Sequence, residues 1–252
     1  MNKPTFIYPV HLPAATVTAT DTATGYDPAN VLEGCEDTAW KPANTTGSKS
    51  LIIDLGASMA IGQIAVLGRY LNGVTLEVRG STDNFVSSDI AISAATVIAS
   101  KIVNTTWRSF TGGNYRQIKL IFSGLSADFA VQYVACCRAV SLPFLEDGHD
   151  PDVYQPTGSQ LIGATGTYLG ATQQYTLATL SLDFGQITSA QYLPFQLWAD
   201  ACIMIMLPFF YVPDIDQPEC FFGWADAKYK FSAPYRSGAR KLAPIPFNWR
   251  IA

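Results

Sequence analysis

The feature that most limits what this chain can fold into is a period of two. Val74-Thr75-Leu76-Glu77-Val78-Arg79 alternates apolar and polar residues, and the turn-forming pair Asn72-Gly73 precedes it. Successive side chains of a strand point to opposite faces, so such a run buries one face and wets the other. Residues 117–122 and 130–134 alternate in the same way. Leu51-Ile52-Ile53-Asp54-Leu55 and the run from Ile61 to Leu67 add apolar stretches of strand length, separated by Gly, Asn, Asp and Ser. Many short strands with turn signals between them predict an all-β sandwich.

The second half reads differently. Leu142-Pro143-Phe144 leads into the acidic connector Glu146 to Asp152, and Gly158 to Gly170 is rich in Gly and Thr. A boundary near residue 146 is expected, giving domains 1–145 and 146–252. Tyr175 to Phe184 reads as a strand. Thr188-Ser189 predicts the cap of a short helix through Trp198, although Pro194 removes a hydrogen bond and crowds the preceding turn. Cys202 to Leu207 is a continuous apolar run of strand length, and Phe221–Phe231 and Leu242–Ile251 are aromatic-rich strands. Ile53-Asp54-Leu55-Gly56 is echoed by Leu182-Asp183-Phe184-Gly185, too short a match to establish a duplication.

Composition narrows the function. The 252 residues are 48% hydrophobic and 14% charged. That is apolar enough for large cores and argues against disorder. The low charge implies either a large interior or surface covered by partners. The net charge is −4, and the basic residues cluster only in Arg236 to Lys241. A nucleic-acid partner needs a basic face and is not expected. Cys35, Cys136, Cys137, Cys202 and Cys220 are odd in number and form no C-x-x-C, so they read as small buried hydrophobes in a reducing compartment. Met1-Asn2-Lys3-Pro4 lacks the apolar segment of a signal peptide, and Ala201 to Val212 is too short to span a bilayer. Cytoplasmic synthesis without a membrane span is the expectation.

An ordered set of motifs resembles the discoidin, or coagulation factor 5/8 type C, family. Its parts are Tyr26-Asp27-Pro28-Ala29-Asn30-Val31-Leu32-Glu33-Gly34, Thr38-Ala39-Trp40, Ile53-Asp54-Leu55-Gly56, Ile61 with Ile64, and Ser81-Thr82-Asp83-Asn84-Phe85. Tyr115-Arg116-Gln117-Ile118-Lys119-Leu120 is similar to a late strand of that family. The resemblance covers roughly half of the chain. It implies a galactose-binding-like jelly-roll sandwich whose end loops bind glycans, lipid head groups or proteins. Independently of the family, Asn30 and Gly34 suit a tight turn, Trp40 suits a core, and Asp54 is placed to accept hydrogen bonds from loop amides. Some family members bind calcium in the first loop. Here Glu33 stands in place of an aspartate, which weighs against it, with Glu36 and Asp37 left as oxygen donors. No cofactor is expected.

Sugar sites use aromatic platforms and planar polar groups; the available types are Tyr26, Trp40, Arg69, Tyr70 and Trp107. With Trp40 assigned to the core, Tyr70, Arg69 and Trp107 are the glycan-binding candidates. A looser resemblance concerns the whole chain: a discoidin-like half followed by an aromatic β-rich half is similar to minor tail and baseplate proteins of tailed bacteriophages, the distal tail proteins in particular. That resemblance implies a virion location, other tail proteins as partners and a cyclic homo-oligomer, trimeric or hexameric.

Catalytic patterns are missing from the sequence. His11 and His149 are the two histidines, and there is no H-E-x-x-H, G-x-S-x-G or phosphate-binding glycine loop. Asp214 and Asp216 lie in the proline-bounded segment Val212 to Pro218, which reads as a loop rather than a glycosidase pair. Two readings follow: a non-enzymatic structural protein of a phage tail tip, and a carbohydrate-binding adhesin module for a host surface glycan.

Overall fold

A computed structural model describes residues 4–9, 15–35, 37–99, 104–137, 140–141, 154–162, 168–182, 186–225, 235–236, 239–241 and 245–250. The connector with His149, the segment with His11, and Glu36 lie outside the described residues. The protein is mainly β, with antiparallel sheets. In chain order the first strands are β1 (Thr5–Ile7), β2 (Thr16–Ala19), β3 (Lys49–Arg69), β4 (Thr75–Ser81), β5 (Ile90–Val97), β6 (Thr105–Ser123) and β7 (Ala130–Cys137). There follow β8 (Val140–Ser141), β9 (Tyr154–Ile162), β10 (Tyr168–Leu182), β11 (Gln186–Ile187), the helix α1 (Ser189–Ala199), β12 (Phe209–Val212) and β13 (Phe221–Ala225). The last are β14 (Tyr235–Arg236), β15 (Ala239–Lys241) and β16 (Ile245–Arg250).

The predicted sandwich is present, and two long strands make it. β3 and β6 pair along their length, with register shifts between Asp54 and Met59 and between Ile61 and Gln63. Bulges bend a strand. Before the bend, the order β2-β3-β6-β4-β5 forms one layer; after it, β7 pairs β3 opposite β6 and forms the second. Leu51, Ile53 and Leu55 point inward from the first layer, and Ile64 and Val66 from the second. Between the layers lie Leu76, Val78, Leu120, Phe122, Val131 and Val134. Each fully buried large side chain of this kind contributes about 1.5–3 kcal/mol. A short 3-10 turn, Pro28–Leu32, closes one end; Asp27 accepts a hydrogen bond from the Ala29 amide at 2.8 Å. Trp40 is fully buried, as expected, and its indole N–H donates to the Asp21 carbonyl at 3.1 Å.

The second sheet has the order β8-β1-β12-β13-β16-β10-β9. It departs from the expected division at residue 145, because β1 pairs β12 and β8 rather than any sandwich strand. Phe209-Phe210-Tyr211-Val212 is buried throughout. Phe210 and Val212 face the sandwich, while Phe209 and Tyr211 face α1. A strand covered on both faces carries no polar alternation.

One sequence expectation needs correction. Cys202 to Leu207 is not a strand: Asp200–Met204 is a π-helical turn that continues α1, and the strand begins at Phe209. A short apolar run has no period to separate the two. The expected short helix is present as Ser189–Ala199 and runs through Pro194. Phe195 and Trp198 are fully buried on its inner side, with Trp198 stacked on Phe6 at 4.4 Å, and this packing offsets a cost of about 3 kcal/mol for a proline inside a helix. Among the described residues no helix is long and apolar enough to cross a membrane.

Candidate ligand-binding site

The outer face of the five-stranded layer carries a polar row across four strands. Thr16 on β2 is opposite Asp54, Asp54 is opposite Gln117, and Gln117 is opposite Ser81. The pleat that sends Leu51, Ile53 and Leu55 into the core sends Ile52 and Asp54 outward. Asp54 takes both of its oxygens into bonds. Arg116 donates to it twice, Nε and Nη2 at 3.1 Å each, Gln117 Nε2 donates at 3.0 Å, and the Gly56 amide donates at 2.8 Å. Burial alone pushes this carboxyl upward; the bonds from Arg116, Gln117 and Gly56 outweigh it and hold the pKa below the ordinary carboxylate value. Gly56 itself has φ +76°, a left-handed conformation that places its amide on the carboxylate.

The loop after β4 forms one wall. Asp83 accepts from the Ser88 hydroxyl at 2.7 Å, from the amides of Ser87 at 2.9 Å and Ser88 at 3.1 Å, and from the Ser87 hydroxyl. The hydroxyl bonds, with the amides behind them, hold this carboxyl far below its ordinary value. The Ser81 hydroxyl accepts from the Phe85 amide at 2.8 Å. Asn84 and Phe85 both have φ +61°, and the Asn84 amide donates to Gln117 Oε1 at 3.1 Å. Lys119 sits over the Phe85 ring, 3.9 Å from its centroid. The result is a groove of about 580 Å³, lined by Thr16, Thr18, Asp54, Asn84, Arg116 and Gln117 together with Ile52 and Asp83. Gln117 is buried and bonded on both sides, while Thr16, Thr18 and Asn84 are exposed.

The sequence-predicted sugar contacts fall elsewhere. Tyr70 is 59% exposed with φ +55°, and it directly follows β3, beside the exposed Arg69. Trp107 is 8% exposed and does not join them. It points from the three-stranded layer into the second sheet, among Tyr133, Phe210 and Phe222, and its indole N–H donates to the Gln217 carbonyl at 3.2 Å. A ring buried there is closed to a sugar, which corrects its assignment. Tyr26 is half-exposed in the loop before the 3-10 turn; Asn30 Nδ2 donates to the Ala39 carbonyl at 3.0 Å, bracing that loop. Gly34 has φ +69° and abuts Pro208. Asp214 lies in a turn between β12 and β13 and accepts from the Asp216 amide at 3.0 Å. In the calcium-type loop, Glu33 accepts from the Thr38 hydroxyl at 3.3 Å, and among the described residues no group of three His, Cys, Asp or Glu side chains converges as metal ligands would.

Arg116, Asn84, Thr16 and Thr18 were not recognised from sequence as site residues. Arg116 and Asn84 lie within the discoidin-like motifs, but only strand register brings them to Asp54.

No family model matches this sequence, and no curated protein matches it. Several solved carbohydrate-binding modules are similar to it over about half of its length. One is chitosan-binding module 1 of a chitosanase/glucanase from Paenibacillus sp. IK-5, 13% identical with a TM-score of 0.45, covering 50% of this chain and 97% of the module. A second is CpGH89CBM32-5 from Clostridium perfringens, in complex with GalNAc-β-1,3-galactose, 18% identical with a TM-score of 0.45, covering 51% of this chain and 99% of the other. A third is the family 32 module of NanJ from C. perfringens, in complex with galactose, 17% identical with a TM-score of 0.44, covering 53% and 98%.

Proposed function

We propose that this protein is a non-catalytic carbohydrate-binding module that holds a glycan against the outer face of its five-stranded layer. The supporting observation is the chain of hydrogen bonds from Arg116 through Asp54 and Gln117 to the Asn84 amide. It fixes planar polar groups around an open groove before any ligand arrives, which removes much of the ordering cost of binding. The exposed hydroxyls of Thr16 and Thr18 and the Asn84 side chain extend that pattern. Neither groove carboxylate suits hydrolysis of the bound sugar. A glycosidase needs one carboxyl with a raised pKa as proton donor, and both Asp54 and Asp83 are displaced downward.

The test is glycan-array retention of the full chain, followed by calorimetric titration of a retained oligosaccharide. Asn84→Ala and Arg116→Ala should each weaken binding at least about tenfold, the loss expected for one or two hydrogen bonds to a ligand. Tyr70→Ala should leave it unchanged. Loss with Tyr70→Ala alone would move the site to the Arg69–Tyr70 end of β3, and retention of no glycan would defeat the reading.

A second reading, a structural component of a phage tail tip, is favoured by a different observation. The sandwich and the second sheet share a buried layer of Trp107, Tyr133, Phe210, Val212 and Phe222. A part that transmits force between neighbours needs such a joint. Mass spectrometry of purified tailed-phage particles tests this, and absence of the chain from them would reject it.

A further inference from the structure

The carboxylates of the outer-face groove are saturated, and a free pair of donors stands beside them. Each oxygen of Asp54 accepts twice, Oδ1 from the Gly56 amide and Arg116 Nε, Oδ2 from Arg116 Nη2 and Gln117 Nε2. Asp83 is filled in the same way, Oδ1 by the hydroxyls of Ser81 and Ser88, Oδ2 by the amide and hydroxyl of Ser87. Arg116 gives Asp54 one edge of its guanidinium, the edge that carries Nε and Nη2. The adjoining end edge, formed by Nη1 and the second N–H of Nη2, has no partner among the described residues. This side chain is 50% exposed, and it lines the groove with Thr16, Thr18 and Asn84. Among the described residues the two threonine hydroxyls and the Asn84 side-chain amide are likewise unbonded.

We infer that the groove takes an acidic sugar, with the carboxylate of a uronic acid residue seated on the free end edge of Arg116. The inference deepens the carbohydrate-binding reading and rests on it. A guanidinium edge offers two parallel N–H groups that match the two oxygens of a planar carboxylate, and such charge-assisted bonds are roughly twice as strong as neutral ones. Asp54 holds the guanidinium in place, so the fork is set before the ligand arrives. The hydroxyls of Thr16 and Thr18 and the Asn84 amide are left for the ring hydroxyls. An amino sugar fits less well, because its ammonium needs an open acceptor and both carboxylates are filled. A neutral sugar fits less well too. Its apolar face calls for an exposed ring, yet among the described residues no aromatic side chain lines the groove, and the nearby Phe85 is covered by Lys119 at 3.9 Å. The negative charges of Asp54 and Asp83 are offset by Arg116 and by Lys119, which stands opposite the groove residue Ile52.

Calorimetric titration of the full chain with matched sugars gives the test. The probes are oligogalacturonate, oligomannuronate and a glucuronate-containing oligosaccharide, each set against the same oligosaccharide with its carboxyl groups reduced to alcohols. At least one acid should bind at least about tenfold more tightly than its reduced counterpart, the difference expected for a charged hydrogen-bonded pair. Arg116→Lys keeps the charge and loses the fork. It should bring the two affinities of that pair to within about threefold while the circular dichroism stays unchanged. Equal or tighter binding of the reduced sugars, a preference that survives Arg116→Lys, or binding confined to a sulfated galactan oligomer without carboxylates would each overturn the acidic-sugar inference and leave the carbohydrate-binding reading standing. A chain that retains neither these sugars nor any other glycan on an array would defeat that reading, and this inference with it.

Discussion

Gly34 of the sandwich lies so close to Pro208 of the second half that a Cβ on it would stand 2.6 Å from the proline Cγ. The glycine also has φ +69°, so a side chain would be strained as well as crowded. Gly34→Ala should therefore destabilise the protein by about 2–4 kcal/mol, combining the left-handed strain with overpacking. Denaturant unfolding followed separately by tryptophan fluorescence and by circular dichroism checks this. Both probes should move together, because the contact lies on the joint between the two sheets. A change below about 0.5 kcal/mol, the ordinary surface value, would mean that the joint is looser than described.

Acid should weaken the fold through the groove. Asp54 and Asp83 have pKa values below those they take in the unfolded chain. The unfolded state thus binds more protons as the pH falls, and the stabilisation is complete above the ordinary carboxylate range and lost as the pH drops through the folded values. The thermal midpoint should stay flat from neutrality to about pH 5 and decline below about pH 4. Asp83→Asn should lower the neutral midpoint and flatten the acid limb. A variant with an acid limb as steep as that of the wild type would show that the serine cage around Asp83 carries no linkage.

The cysteines should divide by accessibility. Cys35 is exposed, while Cys136, Cys137, Cys202 and Cys220 are buried. Burial raises all four inner thiols, Cys137 to about 12, so they are protonated as well as shielded at neutral pH. Native protein treated with a maleimide should take up one label, mapped to Cys35 by peptide mass. The rest should react only with denaturant. Rapid labelling at Cys220 would contradict the packing between the sandwich and the second sheet.

The sequence spoke most clearly where contacts are local. The alternation at Val74–Arg79 and the Asn72-Gly73 turn gave β4, and the expectation that Asp54 accepts from loop amides is met by the amide of Gly56, two residues away. Arg116 completes the same site through strand register, and a single sequence carries no record of register. Trp107 misled for a related reason. It points away from the core of its own sandwich, so within that unit it reads as an exposed platform. Only the second sheet covers it. The signal for that cover was the unbroken apolar Phe209–Val212, a strand that needs a layer on each side. The same lack of period that made this strand informative allowed the neighbouring Cys202–Leu207 to be misread.

The place of β1 sets a sequence in time. Thr5–Ile7 finds its hydrogen-bonding partners in Val140–Ser141 and Phe209–Val212. During synthesis the sandwich, whose paired strands run from Thr16 to Cys137, can close as a unit while β1 stays unpaired. The apolar Phe6 and Ile7 then wait on the ribosome for the later half of the chain, and chaperone occupancy at that segment should persist until β12 has emerged.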